Sequence, residues 1–575
     1  MSSSTILQLN QLPTDVLLHI FVYLEIADVV RLRKTCKALE AVTRDRSVWH
    51  EALSTRFMHS GIPVPGVQLR DDISSLSATE LERLAIRASR YWANWTSPQP
   101  QCYTRLDIRP TPRPWSSSPS HRTLAIEFVT RRSCLYLLTL TLCTVSSGRD
   151  NRRFAFECRD LQQGQALGHA NRIAELLVSG LLSYSVDPTP NSKHLLAVTS
   201  RDADGTYLTT TYTIDFTTPN TDPWFRRTSQ FLSYRRILGF MGSRLVVTDD
   251  DNKVRVIDID AGVVVVTLNV PLIHADPTLR LPEQQCLEYE VFDDFIITFC
   301  KQWIYLYHVP TLSSSMFSGS TQEDGVASSP TLEPIAQYKW RWRIDSISIN
   351  ARRPRPSASS PPPPPAIDLL VRFDTWYPWP VNILHHFVLP PSASFARAAF
   401  APAAPPTFPY LPPAADGPLM AHAIPSPLRL FTPSDMVLAP RGTALWLDAS
   451  TDATTPSQAG DHGQRIASRI LARASPSSSL PSSLTGFRRT ATDAGAPGAQ
   501  DDQVSPGTEV DLALVRVMAL EAESGALAED QDVSVLHVQE THELWNRIAV
   551  DEEEGMVAVG HVDGRVSVFV YAPPE

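Results

Sequence analysis

The stretch Ile548–Tyr571, IAVDEEEGMVAVGHVDGRVSVFVY, decides the fold. Apolar runs at Ile548–Val550 and Met556–Val559 flank Asp551-Glu552-Glu553-Glu554. A second polar turn, Asp563-Gly564, leads into the alternating run of Val566, Val568 and Val570. Side chains of a strand point to opposite faces in turn, so short alternating runs broken by Asp and Gly predict antiparallel strands rather than helices. The acidic quartet reads as a solvated hairpin turn. The same unit recurs upstream at Leu195–Phe216 around Asp202-Ala203-Asp204-Gly205, at Leu245–Ile259 around Asp249-Asp250-Asp251-Asn252, and at Val291–Val309 around Lys301-Gln302. The runs at Ala197, Val246 and Ile296 stand about 50 residues apart, slightly longer than the ~40–45 of a four-stranded propeller blade.

Four segments interrupt this pattern. They are 311–337 (Ser-rich), 350–366 (with Pro361–Pro365), 391–433, and 449–507 (Ser/Ala/Thr/Gly-rich). Residues 350–433 hold 21 of the 48 prolines of this 575-residue chain. Pro removes a backbone donor, so such segments are expected to stay unfolded or polyproline-like. The rest of 101–575 leaves about 330 residues to fold, seven or eight blades at roughly 40–45 residues each. The alternative is an irregular set of β-sandwiches.

Residues 1–100 have a different period. Val16, Leu17, Ile20, Phe21 and Leu24 fall at helical spacing within Leu12–Leu24, with Pro13 and Asp15 in first-turn positions. Further amphipathic sets follow at Ala27–Cys36, Lys37–Arg44 and Ser47–Phe57. Ser77-Ala78-Thr79-Glu80 matches a capping box, in which the Ser oxygen and the Glu carboxylate each satisfy a backbone N–H at a helix start. The helix it opens carries Leu81, Leu84, Ala85, Ala88, Tyr91, Trp92 and Trp95 on one broad face and stops at Pro98. The reading is therefore an α + β multidomain chain with a small helical unit at 7–55, a helical linker at 56–100 and an all-β domain at 101–575.

Leu9, Leu12-Pro13, Asp15, Leu17, Ile20, Phe21, Leu24, Val29, Leu32, Cys36, Leu39 and Trp49 together resemble the F-box family. Lys253–Asp258 and Gly564–Phe569 loosely resemble closing strands of WD-repeat propeller blades, although of the Gly-His and Trp-Asp dipeptides only Gly560-His561 is present. The first resemblance implies an adaptor. Its F-box would bind a Skp-family protein and, through it, a cullin–RING ubiquitin ligase, while the β domain binds a protein substrate. The alternative is a non-ligase scaffold with the β domain as an assembly platform. Independently of the family, a helical unit of roughly 45–50 residues is too small to bury a full core alone and completes its burial against a partner. Leu12, Pro13, Ile20, Leu24 and Val29 are the expected adaptor-binding anchors. Val16, Phe21, Leu32 and Trp49 are read instead as the unit's own core.

The bulk numbers exclude several classes. Net charge is −10, without the basic excess that holds a nucleic-acid backbone. The charge is local: residues 508–555 carry thirteen acidic residues and two arginines, an electronegative edge able to steer a basic partner. Seven scattered cysteines with no zinc spacing read as reduced thiols of an intracellular protein, in the cytoplasm or nucleus. The most apolar run, Cys134–Val145, is far shorter than the ~20 residues that span a bilayer, so no membrane partner is expected. Six lysines against 45 arginines read as codon bias, with scarcity of self-modification sites as a second reading.

No phosphate loop, nucleophile elbow or HExxH occurs, so no catalytic residue, cofactor or metal is assigned. Asp249–Asp251 lack the spacing of a calcium loop. His385 and His386 are adjacent, so on a strand they face opposite ways and cannot chelate together. In Trp340-Arg341-Trp342-Arg343 the Trp pair is expected to pack between blades, leaving the Arg pair open as a recognition face. Trp376, Tyr377 and Trp379, beside Pro378 and Pro380, read as an exposed loop cluster.

Overall fold

A computed structural model describes residues 9, 12–67, 73–111, 120–131, 134–144, 152–161, 170–189, 192–202, 204–214, 225–232, 236–248, 253–271, 285–310, 329–340, 342–352, 364–374, 383–392, 395, 408–411, 417–428, 433–449, 463–471, 533–538 and 544–574. The chain opens with α1 (Thr14–Phe21), α2 (Ile26–Leu32), α3 (Lys37–Thr43) and α4 (Arg46–Glu51). Asp45 caps α4 by accepting from Ser47 N, and a π-helical turn, Ala52–Met58, extends it. After a short connection comes α5 (Ala78–Trp95), which begins at the expected capping box. The helices share one core around Leu17, Phe21, Leu39, Trp49, Leu53, Leu81 and Leu84. Trp49 is fully buried, and its indole N–H donates to Thr43 O at 2.9 Å. The Arg33 guanidinium ties α2 to α5 through Glu82 at 2.7 Å.

The period-two segments build seven antiparallel sheets arranged as propeller blades. Blade 1 takes Ser120–Arg131, Cys134–Thr144, Arg152–Asp160 and Asn171–Ser179. Blade 2 takes Leu181–Val186, Leu196–Arg201, Tyr207–Ile214 and Phe225–Leu232. Blade 3 takes Arg236–Met241, Arg244–Thr248, Val254–Asp258 and Val263–Leu268. Blade 4 takes Cys286–Phe292, Phe295–Cys300, Trp303–His308 and Ala336–Lys339. Blade 5 takes Ile344–Ala351, Ile367–Phe373, Ile383–Leu389 and Leu419–Pro425. Blade 6 takes Met436–Leu438, Thr443–Ala449, Gln464–Ile470 and Ser534–Val538. Blade 7 takes Trp545–Asp551, Met556–His561 and Val566–Val570, and its fourth strand is Thr104–Ile108 from the other end of the β region. Pairing of Thr104–Ile108 with Val566–Val570 therefore closes the ring, and burial of apolar side chains between neighbouring blades holds it. The four hairpins read from the sequence all form, and the blade number settles at seven.

Polar networks inside the blades tie neighbouring strands together. In blade 5 Asp368 accepts from Arg352 at 2.7 and 2.8 Å and pairs with His386 Nε2 at 2.9 Å. In blade 7 Ser567 Oγ donates to Asp107 at 2.6 Å and contacts His561 Nε2 at 3.0 Å, which pins the closing strand from a second direction. In blade 6 Asp448 accepts from the Trp446 indole at 2.9 Å and from Arg465 at 2.7 Å.

The segments expected to lack structure need correcting at four places. Thr331–Leu332 pairs in parallel with the outer strand of blade 3, and Ala336–Lys339 begins before residue 337. Asn350 and Ala351 end the first strand of blade 5. Leu419–Pro425 is the outer strand of blade 5, where a proline loses no ladder bond at its solvent edge. Gln464–Ile470 is a central strand of blade 6. Each occupies seven residues or fewer of its segment, so the composition of the flanking sequence drowned its period. In addition, Tyr410 is fully buried, with its hydroxyl donating to Pro365 O at 2.6 Å. Ala449 ends the second strand of blade 6, and short connections at 329–330, 333–335, 352, 364–366, 391–392, 408–411, 417–418 and 426–428 are described as well; most of the rest of those segments lies outside the described residues.

Glycine is required at the turn between the first two strands of blade 7. Gly555 has φ of 67°, and a Cβ there would stand 2.6 Å from the Tyr91 ring and 3.1 Å from Ala572. Gly262 has the same φ with nothing within 4 Å. Gly262→Ala is expected to cost only the ~1–2 kcal/mol of a left-handed side chain. Gly555→Ala should add about 1–3 kcal/mol of overpacking to that. Equal shifts of the two variants in urea denaturation would contradict the contact with Tyr91.

Candidate protein-interaction surfaces

Helix α1 divides its five apolar residues between two directions. Leu17 and Phe21 point into the helical core, each 3 % exposed. Val16 is 40 % and Tyr23 76 % exposed, and Ile20 is half-buried. Pro13, Val16, Ile20 and Tyr23 are spaced i, i+3, i+7, i+10, so they line one outward stripe beside the buried one. Leu9, 40 % exposed, lies just ahead of it in sequence, and the His19 ring packs edge-on against Tyr23 at 5.5 Å.

Of the five expected anchors, Pro13 is exposed, while Leu12, Ile20 and Leu24 are half-buried at the border of the core. Val29 is 2 % exposed and belongs to the core itself, because α2 turns it toward Leu39 and the α5 side rather than outward. Val16, expected in the core, is on the outer stripe: one face of a helix cannot bury five residues spread over about half its circumference. Phe21 and Trp49 are core residues as expected, and Leu32 is half-buried against that core. Tyr23 was missed. It follows the last turn of α1, yet continues the stripe because Val22 keeps helical backbone angles.

The junction between α5 and the propeller was not foreseen. Asp551–Glu554, read as a solvated turn, is buried: Glu552 is 2 %, Glu553 9 % and Glu554 5 % exposed. Glu552 accepts from Arg441 N at 2.6 Å and Thr443 N at 3.0 Å in the neighbouring turn of blade 6. Glu553 pairs with the Arg441 guanidinium at 2.5 Å. Glu554 accepts from Gly66 N at 2.9 Å, and the Tyr91 hydroxyl donates to Glu552 O at 2.9 Å. Burial raises the carboxyls of Glu552 and Glu554 to about 7 and that of Asp551 to about 6. The helices thus sit on the end of the ring that carries the turns between first and second strands. Since strands run antiparallel, the turns Asp202–Gly205, Lys301-Gln302 and Asp563-Gly564 lie at the opposite end.

The remaining candidates resolve as structural parts or fall elsewhere. The rings of Trp340 and Trp342 both pack on Phe373, at 6.1 and 5.4 Å. They do so from the connection between blades 4 and 5 rather than from a strand. Arg343 lies 3.9 Å from Asp374. His386 bonds Asp368, while His385 stacks among Phe373 and Phe387 on the other face, where burial lowers its pKa to about 4. Asp249–Asp251, Arg341, Trp376, Tyr377, Trp379 and the acidic residues of 508–532 lie outside the described residues. Among the described residues no cluster of three or more His, Cys, Asp or Glu is placed to hold a metal, and no helix is long and apolar enough to cross a membrane. All seven cysteines are free thiols.

Residues 9–53 match the F-box-like family model. No curated protein matches the chain in sequence. Among solved structures, the chain is similar to the Chaetomium thermophilum Polycomb Repressive Complex 2 bound to GSK126, at 9% identity and a TM-score of 0.43, over 82% of this chain and 98% of that one. It is also similar to the β-propeller domain of Myceliophteria thermophila Cps50 (Swd1), at 10% identity and a TM-score of 0.38, over 82% and 99%. Likenesses this distant say nothing about what the chain binds. The blade count rests on the strand pairing.

Proposed function

We propose that this chain is the substrate-recognition subunit of an SCF-type cullin–RING ubiquitin ligase. The helical module would hold a Skp-family adaptor, and the propeller would hold the substrate. The observation that carries the reading is the outward apolar stripe of Pro13, Val16, Ile20 and Tyr23, on residues that match the F-box-like model. F-box and propeller domains generally serve as interaction modules, so ubiquitin transfer would take place elsewhere in the complex. Leu12, Ile20 and Leu24, at the border between core and surface, would be covered once the adaptor docks. The free thiols suit a reducing compartment, the cytoplasm or nucleus. The substrate would meet the end of the ring away from α5, since the other end is occupied by the helices.

The test is affinity purification of the full chain from cells in which the ligase is stalled. The expected result is recovery of a Skp-family adaptor together with a cullin, and weakened recovery of both by Leu12→Ala with Pro13→Ala. Truncating the half-buried Leu12 should lower adaptor affinity about tenfold, near 1.4 kcal/mol. Adaptor without cullin would replace the ligase reading with that of a scaffold. Recovery of neither would remove both.

A further inference from the structure

Four consecutive acidic residues lie in the contact between the helical module and the propeller, and among the described residues one side-chain cation, Arg441, touches them directly. Blade 6 contributes the Arg441 guanidinium, which pairs with Glu553, and the backbone N–H groups of Arg441 and Thr443 with the Thr443 hydroxyl, which all serve Glu552. The connection ahead of α5 contributes only the Gly66 N–H, to Glu554. Helix α5 contributes the Tyr91 hydroxyl, which donates to a main-chain carbonyl of the turn, and Arg87, which donates to Pro573 O at 3.1 Å and acts on Glu554 electrostatically. Within the turn, Asp551 accepts from Glu554 N at 3.1 Å. Glu552 and Glu554 thus meet backbone amides and the Thr443 hydroxyl but, among the described residues, no side-chain cation in direct contact. Removing both from water as anions, beside the charges of Asp551 and Glu553, is costly.

We propose that the turn Asp551–Glu554 is a proton-linked latch: docking of the helical module on blades 6 and 7 takes up protons on Glu552 and Glu554, and losing them loosens the dock. The amide bonds do not depend on ionisation, since a neutral carboxyl oxygen still accepts from Gly66, Arg441 and Thr443. What changes is the cost of burying the charge. The direction follows from linkage. Burial in the docked protein pushes both carboxyls up to about 7, against 4.5 for a fully solvated glutamate, the value they approach as undocking lets water reach the turn. The docked state therefore binds more protons, and its advantage is full below about pH 4.5. The advantage falls by up to about tenfold per pH unit for each carboxyl as pH rises, and is gone above about pH 7. This is opposite in sign to an ordinary surface salt bridge of a carboxylate, which strengthens as the carboxylate ionises. The inference concerns contacts within the chain and stands whether or not a ligase is involved.

Hydrogen exchange of the intact protein tests it directly, read on peptides covering 62–67, 85–96 and 439–445, with a blade 2 peptide over 196–201 as internal reference. Exchange is expressed as protection, so that the intrinsic pH dependence of the chemistry cancels. Between pH 5 and pH 8 the three junction peptides should lose at least tenfold protection relative to the reference. Glu552→Gln with Glu554→Gln, which keeps an oxygen acceptor at each position and removes both charges, should hold its pH 5 protection at pH 8. Junction protection that is flat in the wild-type chain overturns the latch, and so does a fall shared equally by blade 2. A fall of undiminished size in the double Gln variant overturns it as well. If that variant fails to fold, the wild-type comparison alone decides.

Discussion

Val16→Asp together with Ile20→Asp, made in the full chain, is expected to lower affinity for a Skp-family adaptor by at least ~100-fold, about 2.8 kcal/mol. The stripe they belong to offers a partner apolar contact on two successive turns of α1. An aspartate carried into such a contact without a counter-charge costs several kcal/mol when ionised, or must first take up a proton. The fold should tolerate both changes, because the side chains that hold α1 in place are Leu17 and Phe21 on its other side. Thermal unfolding within a few degrees of the parent would show this. Leu17→Asp is the contrasting variant: it should unfold the module, since Leu17 is 3 % exposed. Binding of the Val16/Ile20 variant at parental strength would locate the adaptor surface elsewhere on the module. Tyr23→Ala should act in the same direction with a smaller effect, because Tyr23 lies at the end of the stripe.

What the sequence made legible followed from period. Hairpins such as Leu245–Ile259 and Val291–Val309 were readable because their turns are polar and their strands alternate. The capping box at Ser77 was readable because both partners lie within four residues. Long-range facts were not. Nothing within Thr104–Ile108 announces that it completes a blade with residues over 450 positions away, and the pairing becomes necessary only once the ring must close. Gln464–Ile470 was hidden for a related reason: seven residues of good strand lie between long stretches rich in Ser, Ala and Gly. The acidic turn misled most. Four consecutive carboxylates normally face water, and the local sequence holds no hint that Gly66, Tyr91 and Arg441 converge on them. Val16 and Val29 exchanged roles because helical spacing defines an apolar arc but not which edge of the arc the core covers. Within 7–55 the ordered set of family residues identified the unit as a whole better than any single position, and burial then sorted its members.

Trp95→Ala should separate the two halves of the molecule energetically. Trp95 is the last residue of α5, 2 % exposed, and its ring lies 5.5 Å from Tyr91 and 5.6 Å from Tyr571. Its indole N–H donates to Thr443 Oγ1 at 3.2 Å, so a single side chain joins α5, blade 6 and the closing end of blade 7. Truncating a buried Trp costs about 3–5 kcal/mol through lost burial and the cavity left behind. Loss of the indole donor should add little at Thr443, since its hydroxyl keeps its hydrogen bond to Glu552. The cost falls on the contact between modules, because the helical core around Trp49 and the blade cores distant from blades 6 and 7 contain none of these atoms. Denaturant unfolding should therefore change from one transition toward two, with the helical module released at lower denaturant than the propeller. Proteolysis between residues 96 and 103 should accelerate in parallel. Trp95→Phe is the discriminating partner: it retains most of the buried ring, loses the hydrogen bond, and should cost only about 1 kcal/mol beyond the change in size. If Trp95→Ala shifts the whole transition without splitting it, α5 is an integral part of the propeller core rather than the hinge-side face of a docked module. If it shifts nothing, the junction is held by the acidic turn alone.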